Sequence, residues 1–166
     1  MILADIPVRS AVFVDANTFV YHFAPEPTFG AACRRFVERI ERQEVVAFTT
    51  LHVVSDVAHR LMTLEAISTF GWPLAGIANR LKKHPAELQK LTNYKTALNG
   101  IRNSRLGIIS TTIGDLLAAT DECQRYGLLS GDGLIVAVMR ANNLVHLAST
   151  DRDFDRVSGI TRYSPI

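Results

Sequence analysis

Residues 12–20 read VFVDANTFV, and this stretch decides the fold class. Val12, Phe13 and Val14 form an unbroken β-branched and aromatic run, which predicts a buried strand ending at Asp15. Residues 18–23 predict a short helical turn, stopped by Pro25 and Pro27. The same unit recurs outward along the chain. Thr28 is placed to cap a helix through about residue 43, with Phe29, Cys33, Phe36, Val37 and Ile40 as its apolar stripe. Residues 45–48 predict a second strand, and a helix follows from Thr50 to about residue 64 with Leu51, Val54, Val57, Ala58 and Leu61 facing inward. Residues 106–109 predict a third strand, residues 112–126 a helix ended by Gly127, and residues 130–143 a further helix. Residues 144–147 predict a fourth strand and residues 160–163 an edge strand.

Short apolar strands alternating with amphipathic helices predict an α/β protein with a three-layer α/β/α fold around a parallel sheet of about four or five strands. Between residues 70 and 105 the alternation fails. Gly71, Pro73 and Gly100 break the pattern and Pro85 can open a helix, so the stretch reads as a helical insertion. The 166 residues suit one domain spanning 1–166. With 48% hydrophobic and 20% charged residues, a disordered or collagen-like chain is excluded. No run of roughly 18 apolar residues is present, so no membrane partner is expected. Asp5 and Pro7 interrupt the N-terminus against a signal-peptide layout, and Cys33 and Cys123 alone cannot build a disulfide framework. A reduced, cytoplasmic setting is the expectation.

The net charge of +2 says little, but its distribution says more. From Arg60 to Arg105 there are eight Lys or Arg residues against Glu65 and Glu87, and all the lysines (Lys82, Lys83, Lys90, Lys95) fall here. From Asp115 onward the acids are Asp115, Asp121, Glu122, Asp132, Asp151, Asp153 and Asp155. Either these are solvated helix faces, or a cationic surface borders an acidic pocket suited to a polyanion.

Four acids stand out: Asp15, Asp56 in LHVVSDVAHRL, Asp132 in LLSGDGLIVAV, and Asp151 in HLASTDRDFDRV. Asp15, Asp132 and Asp151 each precede a helical segment and could serve only as N-caps; Asp56 could pair with Arg60 at i,i+4. Asp15 and Asp151 also lie just past predicted strand ends, where ligands of parallel sheets bind. Clustered carboxylates repel unless a cation is present, and hard oxygen ligands suit Mg²⁺ or Mn²⁺. Such ions activate water and stabilise a phosphate under in-line displacement.

These phrases together resemble the PIN-domain nucleases. VFVDANTFV is similar to their first motif, with Asn17 two positions after Asp15; GDGLIVAV is similar to the third; LASTDRDFDRV is similar to the fourth, contributing Ser149, Asp151, Asp153 and Phe154. The likeness runs over residues 11–157. It implies a metal-dependent endoribonuclease leaving a 5′-phosphate and a 3′-hydroxyl, many relatives being toxins of VapBC-type toxin–antitoxin pairs. It further implies Asp15, Asp132 and Asp151 as metal ligands, Asp56 as a weaker or outer catalytic carboxylate, and Asn17 and Ser149 positioning water or phosphate. Asp153 would support them, and Lys82, Lys83, Lys90 and Lys95 would contact RNA backbone. An antitoxin peptide and a second copy of the chain are the implied protein partners. The sequence departs from the pattern twice. Asp56 stands where a glutamate is usual, one methylene shorter in reach, and Gly133 stands where alanine is commoner, which would loosen the start of that helix.

Other readings fit less well. A receiver domain wants a late lysine, and none follows Lys95. A nucleotide-binding module needs a glycine-rich turn after the first strand, where DANTFV has none. A dehalogenase-like phosphatase needs an aspartate at position 17, which is Asn17. His52, Asp56 and His59 offer a partial zinc site with no cysteine or further histidine to complete it. A PIN-like scaffold with impaired metal binding, or a housekeeping RNA-processing nuclease, remains the alternative to a toxin.

Overall fold

The computed structural model describes residues 1–166 and carries five parallel strands and eight helices. In chain order these are β1 (Ala11–Val14), α1 (Ala16–Phe23), α2 (Gly30–Glu41), β2 (Val46–Thr50), α3 (Leu51–Phe70), α4 (Ile77–Lys83), α5 (Pro85–Leu88), α6 (Asn93–Asn103), β3 (Gly107–Ile109), α7 (Ile113–Tyr126), α8 (Ser130–Ala141), β4 (His146–Ala148) and β5 (Thr161–Tyr163), with 3₁₀ turns at Leu3–Asp5 and Arg152–Arg156.

The sheet order is β3-β2-β1-β4-β5. β1 is central because Val12, Phe13 and Val14 are fully buried, as a strand covered on both faces must be. Its partners are β2 on one side and β4 on the other, with Phe13 opposite Phe48 and Leu147. The chain moves outward from β1 to β2 and β3, then crosses back to β4. Strand order therefore reverses between β1 and β4, and the crevice beyond their carboxyl ends is the place where such sheets bind ligands. Helices α1, α2, α3 and α6 pack on one another, while α7 and α8 form a separate pair. Right-handed crossovers put these two groups on opposite faces of the sheet, completing the three layers.

Several boundaries differ from expectation, each for a local reason. Thr28 does not cap α2. The Glu26 carboxylate instead accepts the N–H groups of Phe29 and Gly30, and the helix starts one residue later than expected. α3 runs past residue 64 to Phe70, because nothing breaks it before Gly71, which adopts φ 65°. Its extra turns bury Ala66 in a small apolar cluster with Ile77, Leu81 and Leu91. The residues 70–105 are helical as expected, but α6 sends Ala97 and Ile101 into the main core. Tyr94 packs between the two clusters. No helix is long and apolar enough to cross a membrane.

Gly133 reverses its expected meaning. A Cβ at this position would stand 2.4 Å from Cys123 Sγ and 2.9 Å from the Ala119 carbonyl oxygen. The glycine thus lets α8 close onto α7; it tightens the layer that carries Asp132 rather than loosening it.

Candidate functional site

The carboxyl end of β1 delivers Asp15 into the crevice, and the chain turns there into α1. Asp15 is the N-cap of that helix, accepting the Ala16 N–H at 2.6 Å through Oδ1. Its other oxygen, Oδ2, accepts from Ser149 Oγ at 2.7 Å and from Asn17 Nδ2 at 2.8 Å. Asn17 Oδ1 in turn accepts the Thr150 N–H at 3.1 Å, and Ser149 Oγ accepts the Asp151 N–H at 3.0 Å. The ends of β1 and β4 are thus laced together around one buried carboxylate. Asp151 caps the following 3₁₀ turn through the Asp153 N–H at 2.8 Å. Capping and site-forming are not alternatives here: Asp15 and Asp151 do both. Asp132 caps nothing and sits in the first turn of α8, whose N-cap is Leu129.

Asp15, Asp56, Asp132 and Asp151 line a single cavity of about 100 Å³, together with Asn17, His52 and Arg60. Four carboxylates from separate stretches of sequence therefore meet at the strand-order reversal. A larger apolar cavity of about 420 Å³, walled by Phe19, Phe23, Ile40 and Ile101, holds none of them. Burial pushes the Asp15 carboxyl above its usual range, against the hydrogen bonds from Ser149 and Ala16 that pull it down. Asp132 is pushed up to about 6, first by burial and then by the neighbouring charges of Asp151, Asp15 and Asp153. Burial also lowers His52, although Asp56 and Asp15 favour its charged form.

The donor set suits a hard divalent cation: oxygen-only carboxylates, mutually repelling, running from buried Asp15 through partly buried Asp132 and Asp151 to exposed Asp56. No three His, Cys, Asp or Glu side chains stand close enough to form a ready-made cage, which disposes of a His52–Asp56–His59 zinc site. Mg²⁺ does not require such a cage, since it keeps several waters and takes one or two carboxylates plus substrate phosphate oxygens.

The remaining expected site residues fall elsewhere. Ser149 is fully buried and off the cavity wall, so it braces Asp15 and Asp151 instead of meeting water or phosphate. Asp153 also lies off the wall and pairs with Arg156 at 3.1 Å. Lys82, Lys83, Lys90 and Lys95 are exposed and outside the cavity. Asp56 is exposed at its rim and forms no ion pair with Arg60. The sequence alone offers His52 as a zinc ligand, and Arg60 as a partner of Asp56 or as part of the basic stretch. Their spacing of four and eight residues around Asp56 and His52 puts all three on one face of α3, which was the available signal.

A family model described as PIN domain matches residues 12–160. The chain belongs to the PIN-domain family. Three solved structures share the PIN fold with it. The Mycobacterium tuberculosis toxin VapC20, described as cleaving the sarcin–ricin loop, is 18% identical with a TM-score of 0.61, over 87% of this chain and 92% of that one. VapBC2 of Rickettsia felis, bound to a fragment of its promoter DNA, is 17% identical with a TM-score of 0.56, over 93% of this chain and 98% of that one. A toxin–antitoxin complex from Klebsiella pneumoniae is 16% identical with a TM-score of 0.53, over the same two shares. No curated protein matches the sequence significantly.

Proposed function

We propose that this PIN domain is a Mg²⁺- or Mn²⁺-dependent endoribonuclease acting as the toxin of a VapBC-type toxin–antitoxin pair in the cytoplasm. The observation that carries the reading is the meeting of Asp15, Asp56, Asp132 and Asp151 around one cavity at the strand-order reversal of a PIN fold. Asp15, Asp132 and Asp151 would hold the cation, in part through waters it retains, with Asp56 reaching in from the rim. When bound, the cation supplies an acidified water and charge neutralisation at the phosphate.

The chain's own residues prepare that chemistry. Asn17 and Ser149 fix the orientation of Asp15, so the carboxylate does not reorganise as charge builds up. Water attacks phosphorus and the 3′-oxygen leaves, giving a 5′-phosphate and a 3′-hydroxyl. Lys82, Lys83, Lys90 and Lys95, exposed and without ion-pair partners, would hold RNA backbone without choosing sequence. Fold likeness to toxins and toxin–antitoxin complexes supports a small antitoxin as partner, and a homodimer belongs to the same reading.

A second reading, a PIN domain that binds RNA without cutting it, is favoured by Asp56, whose short exposed side chain replaces the usual glutamate. Cleavage of a structured RNA with Mn²⁺ or Mg²⁺ separates the two, using wild type, Asp15→Asn and Asp56→Glu. Metal-dependent cutting lost in Asp15→Asn supports the nuclease. A silent wild type with an active Asp56→Glu supports the binding module, and silence from all three across several RNAs sinks catalysis altogether.

A further inference from the structure

The acidic cavity does not end at Asp56. Arg60, one turn further along α3, lines it and also lines a second cavity of about 410 Å³ on its other side. No carboxylate lies within 4 Å of the Arg60 guanidinium, although Asp56 is four residues away. It is an unpaired cation set between an anionic pocket and an apolar one. The second cavity is walled by Val20, Leu64, Leu74 and Ile77, with Tyr21 and His59 at its polar edge. Leu64 is 42% and Leu74 69% exposed, an apolar surface facing water beside a free guanidinium.

We propose that this second cavity is a nucleotide subsite: Arg60 holds a phosphate of single-stranded RNA next to the one in the acidic cavity, and the attached nucleobase packs between Leu64 and Leu74. The proposal rests on the nuclease reading for placing the neighbouring phosphate in the acidic cavity. A nucleotide joins an anion to a flat ring with apolar faces across a single sugar, so its two ends can lie in neighbouring cavities. The shared wall offers the same two chemistries in the same sequence. Arginine suits the phosphate because its planar fork takes two oxygens at once. Apolar packing against the face of a base tolerates any base identity, because every base has such a face. Arg60 is accordingly a positioning residue for the strand, not a catalytic one.

The test is the binding of fluorescein-labelled decauridylate, and of a decamer of the same backbone without bases, to the full chain in Ca²⁺. Wild type should bind the uridine decamer at least about tenfold more tightly than the abasic one. Leu64→Ser/Leu74→Ser, at two exposed positions, should remove that difference and leave the abasic affinity unchanged. Arg60→Ala should weaken both ligands and flatten the salt dependence by about 0.7 in log–log slope, the share of one phosphate on a single strand. Arg60→Lys should restore the slope. In cleavage assays, Arg60→Ala should raise KM by about tenfold with kcat and the Mn²⁺ concentration giving half the thermal shift both within about twofold. A changed Mn²⁺ midpoint with an unchanged salt slope overturns the proposal and makes Arg60 a regulator of metal binding. Equal affinity of wild type for both decamers, or unaltered RNA binding by the double variant, also overturns it and leaves the cavity to a protein ligand. If these binding differences appear without any cleavage, the nuclease reading falls and the subsite stands. If cleavage proceeds identically in all variants, the subsite falls alone.

Discussion

Ser149 donates its hydroxyl to Asp15 Oδ2 at 2.7 Å, across 134 positions of sequence. Both side chains are buried, Ser149 completely and Asp15 to 9% exposure. Ser149 also accepts the Asp151 N–H, so one hydroxyl orients two of the acids on the cavity wall. Ser149→Ala leaves a buried carboxylate short of a donor and an amide short of an acceptor, at a cost of about 1–3 kcal/mol in urea unfolding. Loss of an orienting partner should also weaken Mn²⁺ binding by about 10- to 100-fold, read from the Mn²⁺ dependence of the melting temperature. An unchanged Mn²⁺ midpoint would mean that Asp15 is not a ligand.

Asp132 predicts an unusual pH dependence. Its carboxyl is held at about 6 in the folded chain, above its value in the unfolded one. The folded state therefore keeps the proton more tightly, and stability from this group rises as pH falls from about 6 toward 4. Above pH 6 the penalty is fully present. Asp132 is only partly buried, so screening leaves roughly 1 kcal/mol of it. Asp132→Asn should then raise the melting temperature of metal-free protein at pH 7.5 by about 2–4 °C, and by much less at pH 4.5. The same substitution should reduce the stabilisation by Mn²⁺ at pH 7.5. A lower melting temperature at pH 7.5 would contradict the repulsion among these carboxylates.

The close approach at Gly133 makes a third prediction against propensity. In an exposed helix, Gly→Ala stabilises by about 1 kcal/mol. Here the new methyl would meet Cys123 Sγ and the Ala119 carbonyl, and overpacking of this kind costs about 1–3 kcal/mol. Gly133→Ala should lower the melting temperature, and Cys123→Ala in the same chain should recover part of the loss. The carbonyl cannot move aside as a side chain can, so rescue should be incomplete. A stabilised single variant would show that α7 and α8 have room to separate.

The parts of this fold that are legible in sequence are those decided within a few residues. β1 and Asp15 follow from an apolar run meeting an acid. α7 follows from Thr112 and Asp115, which cap it reciprocally, and from Gly127, whose φ of 65° ends it. The meeting of Asp15 and Asp151 was inferable because parallel sheets gather ligands at one edge. What could not be read depends on which distant atoms share a bond. Ser149 looks like a residue that meets water, yet folding closes Asp15, Asn17 and Thr150 over that space. Arg60 looks like the partner of Asp56 because spacing permits the pair, and spacing carries no information about a cavity on each side. α3 runs on to Gly71 for want of an earlier breaker, and the packing of its last turns on α4 and Leu91 adds contacts outside any local window.

Those last turns carry the fourth prediction. The Glu65 carboxylate accepts the backbone N–H groups of Thr92 at 3.0 Å and Asn93 at 2.9 Å, at the start of α6. Thr92, the N-cap residue, makes no capping bond with its own side chain, so Glu65 supplies the cap from another helix and adds negative charge at the positive end of the α6 dipole. Loss of such a cap costs about 0.5–2 kcal/mol. Glu65→Ala should therefore speed hydrogen exchange of α6 amides by about 2- to 30-fold while β1 amides change less. Glu65→Gln, which keeps an oxygen acceptor but loses the charge, should fall between the two. Lys95 rides on the first turn of α6, so the same loosening should weaken RNA binding by a small factor that rises with temperature. Equal exchange rates for α6 in Glu65→Ala and wild type would mean that packing of Ala97 and Ile101 alone holds the helix in place.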